Sequence, residues 1–240
     1  MFQKECQSMN IQRILFILLL YLLVSGCAHK VVTSDFRFIT PDKNDTFESL
    51  ANEHLGTSAL AWKIQESNDI NKIVPGEELI VPIKPIHPGG LTANGYQQIP
   101  VLSYHNFTKG RNKGLLTVRS SDFESQLNYL KKGQFHTLTL EQLEDFLGLG
   151  ETPRNSVLIT IDDAWISSYK IAYPMLKSFG FNAALFVPTS YVSSTSRKNQ
   201  KTLSWDQIRE MVNDPSIDIQ CHTKGHQDLN QIKIGQSFQS

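Results

Sequence analysis

One stretch constrains this chain more than any other: Val157-Leu158-Ile159-Thr160-Ile161-Asp162-Asp163-Ala164. An apolar, β-branched run leads straight into two adjacent carboxylates. A strand of this kind is buried on both faces, and charges at its end are costly unless they are used. Further on, Ile217-Asp218-Ile219-Gln220-Cys221-His222-Thr223-Lys224-Gly225-His226 repeats the pattern, with His222 and His226 four positions apart just past a short strand. Two carboxylates and two imidazoles, each set past a strand end, make up an inventory of metal ligands.

Strand and helix signals alternate around these residues. Ile99-Pro100-Val101-Leu102-Ser103-Tyr104 reads as a strand and is followed at once by His105. Ser121 is placed to cap a helix through Phe123, Leu127 and Leu130, closed by Gly133. Leu138-Thr139-Leu140 is expected to be a short strand, and Leu143, Phe146 and Leu147 the apolar face of a helix. Tyr169, Ala172, Met175, Leu176 and Phe179 follow at helical spacing before Gly180, and Ala183-Ala184-Leu185-Phe186-Val187 is the next strand. Trp205, Ile208 and Met211 mark another helix. The alternation predicts a parallel α/β sheet or barrel, in which chemistry gathers at the C-terminal ends of the strands. His105, Asp162, Asp163, His222 and His226 all fall there. Trp205 is expected in the core and Cys221 to be a packed residue.

Composition narrows the class. Twenty-three basic side chains balance 23 acidic ones, which argues against a nucleic acid partner. Three cysteines, Cys6, Cys27 and Cys221, make no disulfide framework. Lys4 and Arg13 precede an apolar run of 11 residues, 14–24, too short for the roughly 20 residues of a spanning helix. The run fits an export signal, and Leu23-Val24-Ser25-Gly26-Cys27 resembles the bacterial lipoprotein processing box. That resemblance implies cleavage after residue 26, lipidation of Cys27, anchoring to the membrane without spanning it, and a polar tether over 27–35. Ala28 next to the cysteine favours the outer membrane, facing the periplasm, in a bacterium with two membranes.

Residues 36–83 read as strand, helix, helix, strand. Phe36-Arg37-Phe38-Ile39 opens the unit. Asp45, with Glu48 three residues later, is placed as a helix N-cap, and Leu79-Ile80-Val81-Pro82 closes the unit after a Val74-Pro75-Gly76-Glu77 turn. Asp45-Thr46-Phe47, Leu50-Ala51, Ile64 with Asn68, and Pro75-Gly76-Glu77 before Leu79 and Pro82 resemble the LysM fold, with Asn44 where that family carries glycine. The resemblance implies binding of glycans containing N-acetylglucosamine, such as peptidoglycan or chitin. Residues 84–98, rich in proline and glycine, are expected to be a linker.

From residue 99 to the end, Thr160-Ile161-Asp162-Asp163-Ala164 is similar to the first motif of NodB-type polysaccharide deacetylases. His222-Thr223-Lys224-Gly225-His226 is similar to their second, and Val101-Leu102-Ser103-Tyr104-His105 to the strand that opens many of these domains. The resemblance implies an α/β fold of the (β/α) barrel type. It also implies a divalent metal, Zn²⁺ first, held by Asp163, His222 and His226, with Asp162 as general base and His105 and Thr223 in the surrounding pocket. Ala164 stands in place of the family's glycine, a substitution that strains any turn requiring φ > 0 by about 1 kcal/mol. The family's later Arg, Trp and His motifs have no counterpart in the 14 residues after His226, so the expected barrel is incomplete. The expected activity is metal-dependent removal of N-acetyl groups from an N-acetylglucosamine polymer of the cell envelope, peptidoglycan first and poly-N-acetylglucosamine second. The competing expectations are a non-catalytic peptidoglycan-binding lipoprotein carrying an inactive deacetylase portion, and an unrelated metallohydrolase.

Overall fold

The structure, a computed structural model, describes residues 35–111, 114–193 and 201–228. The export signal, Cys27 and most of the tether lie outside these residues, as does the stretch after 228. No helix among the described residues is long and apolar enough to cross a membrane.

The N-terminal unit is a strand–helix–helix–strand module. Strand β1 (Phe36–Ile39) pairs antiparallel with β2 (Leu79–Pro82), and helices α1 (Phe47–Leu55) and α2 (Ala61–Asn68) lie between them in sequence. Phe47, Leu50, Ala51, Ala61, Ile64, Leu79 and Val81 form its core. Asn68 fastens helix to strand: its amide donates to the Ile64 and Ile80 carbonyls at 2.7 and 2.8 Å, and its oxygen accepts from the Ile80 N–H at 2.8 Å. The α1 cap is Thr46, not Asp45. Thr46 and Ser49 exchange side-chain-to-backbone bonds in a capping box, while the Asp45 carboxylate turns back to the Asp42 N–H at 2.7 Å. A hydroxyl one residue nearer the first turn reaches the third helical N–H, so the helix starts one position later than its acidic residues suggest.

Residues 84–98 are not a free tether. They form a single 3₁₀ turn and a two-residue hairpin, β3 (Leu91–Thr92) with β4 (Gly95–Tyr96). Gly90, at φ 72°, sits so close to the Phe146 ring that a Cβ there would lie 2.8 Å from it. The Gly89 N–H donates to the Gly150 carbonyl at 2.8 Å. Glu151 is the hub of this region, with a side chain only 4% exposed. One of its oxygens pairs with Lys63 of α2 and the other accepts the Ile86 and His87 N–H groups, each at 2.5 Å. A second bridge joins the Glu66 carboxylate of α2 to the Arg154 N–H at 2.8 Å.

The remaining elements are β5 (Val101–Tyr104), β6 (Asn106–Thr108), β7 (Thr117–Arg119), α3 (Ser120–Lys132), β8 (His136–Thr137), α4 (Leu140–Leu147), β9 (Ser156–Asp162), α5 (Tyr173–Phe179), β10 (Ala183–Val187), α6 (Trp205–Val212) and β11 (Ile217–Cys221). The main sheet runs β11-β10-β9-β5 with β8 also on β9, every pairing parallel, and it stays open among the described residues. β9 is the centre: its first six residues are buried, as its unbroken apolar run demands of a strand covered on both faces. Phe123, Leu127 and Leu130 of α3, Leu176 of α5, and Ile208 and Met211 of α6 pack into one core with it.

Three local expectations are corrected. Ser121 lies inside α3, whose cap position is Arg119 without a side-chain cap bond; the Arg119 guanidinium pairs with Asp122 at 2.7 Å instead. The short strand lies at 136–137, starting two residues earlier than expected, because Thr139 is drawn off to cap α4 in a box with Gln142. Trp205 and Cys221 are exposed: Trp205 is the first residue of α6, where the helix has not yet turned its apolar face inward, and Cys221 ends the edge strand.

Candidate metal and catalytic site

The parallel register brings four chain segments to one edge of the sheet. Tyr104 is opposite Ile161 and Phe186 is opposite Asp162, so the residues after β5, β9, β10 and β11 emerge side by side. After β9 the backbone turns sharply: Asp163 has φ 73° and Ala164 φ 53°, both left-handed. The turn is held from behind, where the Leu203 N–H donates to the Ala164 carbonyl at 2.9 Å. The Ala164 methyl is fully buried there, so burial worth about 0.8 kcal/mol offsets much of the strain its φ imposes. After β11 the histidine loop is stitched to the turn following β10. The His222 N–H donates to the Val187 carbonyl at 3.0 Å, Thr189 N–H to Thr223 at 3.2 Å, and Ser190 N–H to Lys224 at 2.8 Å. The Thr223 hydroxyl accepts the His226 N–H at 3.0 Å, which fixes the spacing of the two imidazoles.

Asp163, His222 and His226 converge, with one ligand atom from each within 4.8 Å of the others. Asp163 Oδ1 lies 3.2 Å from His226 Nε2 and 3.7 Å from His222 Nε2. That oxygen is buried yet accepts no hydrogen bond. A buried acceptor left unmade costs about 1–3 kcal/mol, a deficit that a cation between the three atoms would remove. One carboxylate and two imidazoles are a donor set of the kind that divalent transition metals take, with positions left open for other groups.

Asp162 belongs to a second, adjoining cluster. Its Oδ2 accepts from the Ser103 hydroxyl at 3.3 Å and lies 3.8 Å from His105 Nε2. Strand alternation puts Ser103 and His105 on the same side of β5, facing Asp162 across the register. The expected residues Asp162, Asp163, His105, Thr223, His222 and His226 therefore share one rim. Ser103 was missed, although its position two residues before His105 was the available signal. Phe186 and Tyr191 were missed too: their rings lie 6.4 Å from His222 and 6.2 Å from His226 and wall the site. Four of the seven non-glycine residues with positive φ among those described are Asp163, Ala164, Thr223 and His226. Strained backbone concentrated at one place is a mark of a functional site.

Comparison with known proteins bears on the same region. Residues 149–236 match the family model of polysaccharide deacetylase. The C-terminal part of the chain is similar to polysaccharide deacetylases. The poly-beta-1,6-N-acetyl-D-glucosamine N-deacetylase of Staphylococcus epidermidis is 33% identical over 119 residues, covering 50% of this chain and 40% of that protein. The Bacillus subtilis protein YxkH is 31% identical over 134 residues, 55% of this chain and 45% of that one. Among solved structures, the Streptococcus pyogenes deacetylase PplD in complex with acetate aligns with 30% identity and a TM-score of 0.49, over 56% of this chain and 60% of that one. The chain thus spans less than half the length of these curated relatives.

Proposed function

We propose that this protein is a metal-dependent N-deacetylase acting on an N-acetylglucosamine polymer of the bacterial cell envelope. The observation that carries the reading is the convergence of Asp163, His222 and His226 around a buried oxygen without a hydrogen bond, inside the stretch that matches the deacetylase family. Asp163, His222 and His226 would hold a divalent ion, Zn²⁺ first. Bound there, such an ion supplies Lewis acidity toward an acetamide carbonyl and makes water more acidic. Asp162, oriented by the Ser103 hydroxyl and the His105 ring, takes the proton of the attacking water. Phe186 and Tyr191 shield the imidazoles and offer apolar walls to a sugar ring. The products are a free sugar amine and acetate.

The Staphylococcus relatives, by name, favour poly-β-1,6-N-acetylglucosamine as the polymer. The strand–helix–helix–strand module favours peptidoglycan, because its order and its Asn68 brace fit the LysM resemblance of the sequence. Lipidation at Cys27 and residence in the cell envelope complete the proposal. The test is acetate release from both polymers, with metal content measured on the same preparation. Stoichiometric metal with acetate release supports the enzyme. Metal without turnover favours a non-catalytic glycan-binding protein, and ester or phosphate hydrolysis without deacetylation favours another metallohydrolase.

A further inference from the structure

At the opposite end of the strands from Asp163, a cleft of about 820 Å³ opens between the N-terminal module and the sheet. One wall is the outer face of α2 and the turn after it, with Trp62, Gln65 and Asn71; the other is the entry to β8 and β9, with Gln134, His136 and Asn155. Along β9 the cleft lies about 20 Å from the candidate metal residues. Its volume falls in the range of roughly 300–1,000 Å³ typical of ligand sites.

We propose that this cleft is a second glycan site, built jointly by the module and the deacetylase-like domain, which holds an uncharged stretch of polysaccharide. The proposal rests on reading the protein as glycan-acting and goes further in naming the place and the chemistry.

Three features carry it. First, the walls offer side-chain amides: Gln65, Asn71 and Gln134 present donors and an acceptor in one plane, the complement of paired sugar hydroxyls, and Asn155, whose amide nitrogen also donates to the Gly133 carbonyl at 3.3 Å, adds an acceptor and its second N–H. Second, Trp62 supplies a half-buried aromatic surface with a polar edge, suited to the apolar face of a pyranose. Third, the charges of the lining cancel. Lys131 and Arg154 are offset by Glu66 and Asp69, and Arg154 lies 3.6 Å from Glu66. His136 stands exposed at the rim, where partial desolvation by its neighbours lowers its basicity, and adds ring nitrogens to the lining. Such a lining offers no net field to a polyanion.

The walls are also held in place. Glu151 pairs with Lys63, and Glu66 accepts from the Arg154 N–H, so α2 cannot slide along the β8–β9 entry without breaking both contacts. A preformed cleft loses little freedom when it binds a chain.

The test is calorimetric titration of the full chain, in detergent, with the β-1,4-linked pentamer of N-acetylglucosamine. Pentamer binding at the cleft should persist in His222→Ala, because the cleft is remote from the histidine loop, and the remaining variants are made in that background. Trp62→Ala should weaken binding about tenfold, as loss of a central aromatic anchor does. Asn155→Ala, on the wall that the module does not contribute, should weaken it by about threefold. Trp62→Phe should recover most of the loss, which separates lost contact from lost fold. Unchanged affinity in Trp62→Ala and Asn155→Ala, tighter binding of inorganic phosphate than of the pentamer, or no pentamer binding by wild type would each overturn the proposal. Acetate release from the same preparations keeps the two readings apart. Pentamer binding without acetate release overturns the deacetylase reading and leaves the cleft standing, whereas acetate release without pentamer binding overturns the cleft.

Discussion

Glu151→Ala is the substitution that most directly tests how the two units are joined. The Glu151 side chain is 4% exposed and its Lys63 partner 13% exposed, so both charges are largely withdrawn from water. Removing one partner of a buried ion pair leaves the other uncompensated, at a cost of about 3–5 kcal/mol. The same substitution strips the acceptor from the Ile86 and His87 N–H groups. Glu151→Gln keeps an acceptor for those groups and loses only the charge, so it should cost less. Glu151→Gln combined with Lys63→Met should recover part of the single-variant loss, and the coupling in the double-mutant cycle should be about 2–3 kcal/mol. Urea unfolding followed by tryptophan fluorescence is the assay: Trp62 reports the module, Trp165 and Trp205 the domain. Wild type should unfold in one transition; Glu151→Ala should show the module unfolding first, with chymotryptic cleavage after Tyr96 increased. A Glu151→Ala protein within about 1 kcal/mol of wild type, with unaltered cleavage, would refute the buried-clasp account.

Other expectations follow from single sites. Asp163→Asn should abolish retention of metal after gel filtration, whereas Asp162→Asn should retain metal and lose acetate release; elemental analysis and an acetate assay decide. Asn68→Ala deletes three hydrogen bonds, two of them between α2 and β2, and should cost about 2–4 kcal/mol by chemical denaturation. Asp214 is held well below the usual carboxylate range by the Ser216 hydroxyl at 2.7 Å, Lys177 at 3.0 Å and the Tyr173 hydroxyl. A depressed carboxyl contributes stability that is full above its unfolded pKa of about 4 and drains away as pH falls below that. Asp214→Asn should therefore be less stable at pH 7, and its melting temperature should fall less steeply between pH 4 and pH 2 than that of wild type. Ala164→Gly gains about 1 kcal/mol of backbone relief but loses a buried methyl worth about 0.8 kcal/mol, so its melting temperature should barely move.

Much of the site was legible because it depends on two local properties that sequence displays. A buried parallel strand is an unbroken apolar run, and charges set just past it mark its C-terminal end. Those two rules placed Asp162, Asp163, His222 and His226 on one rim before any coordinates. His105 needed one further step, the order of strands, since it meets Asp162 only because β5 lies beside β9. Ser103 needed the same step and was passed over because a lone serine in a strand carries no charge to betray it. The turn at Ala164 was legible as a possible strain, and the structure supplies its φ of 53°. What no pattern showed was that strain recurs at Thr223 and His226, because positive φ is announced in sequence by glycine, and neither residue is one.

The errors have a common physical origin. Caps were misplaced, by one residue at Asp45 and by two at Ser121, because several polar residues compete for the first turn, and geometry of about an ångström decides among them. Trp205 and Cys221 were placed inside on residue type alone, whereas their exposure is set by being first in a helix and last in an edge strand. The stretch 84–98 was read as a linker from its prolines and glycines, yet Gly90 is needed there for the close approach of Phe146 rather than for freedom. The contact that orders this stretch lies between Lys63 and Glu151, 88 positions apart, and nothing in either neighbourhood marks them as partners. Local pattern reports what a segment can do by itself. The clasp is a property of two segments, and with it comes the cleft whose two walls belong to units that the sequence shows only as separate.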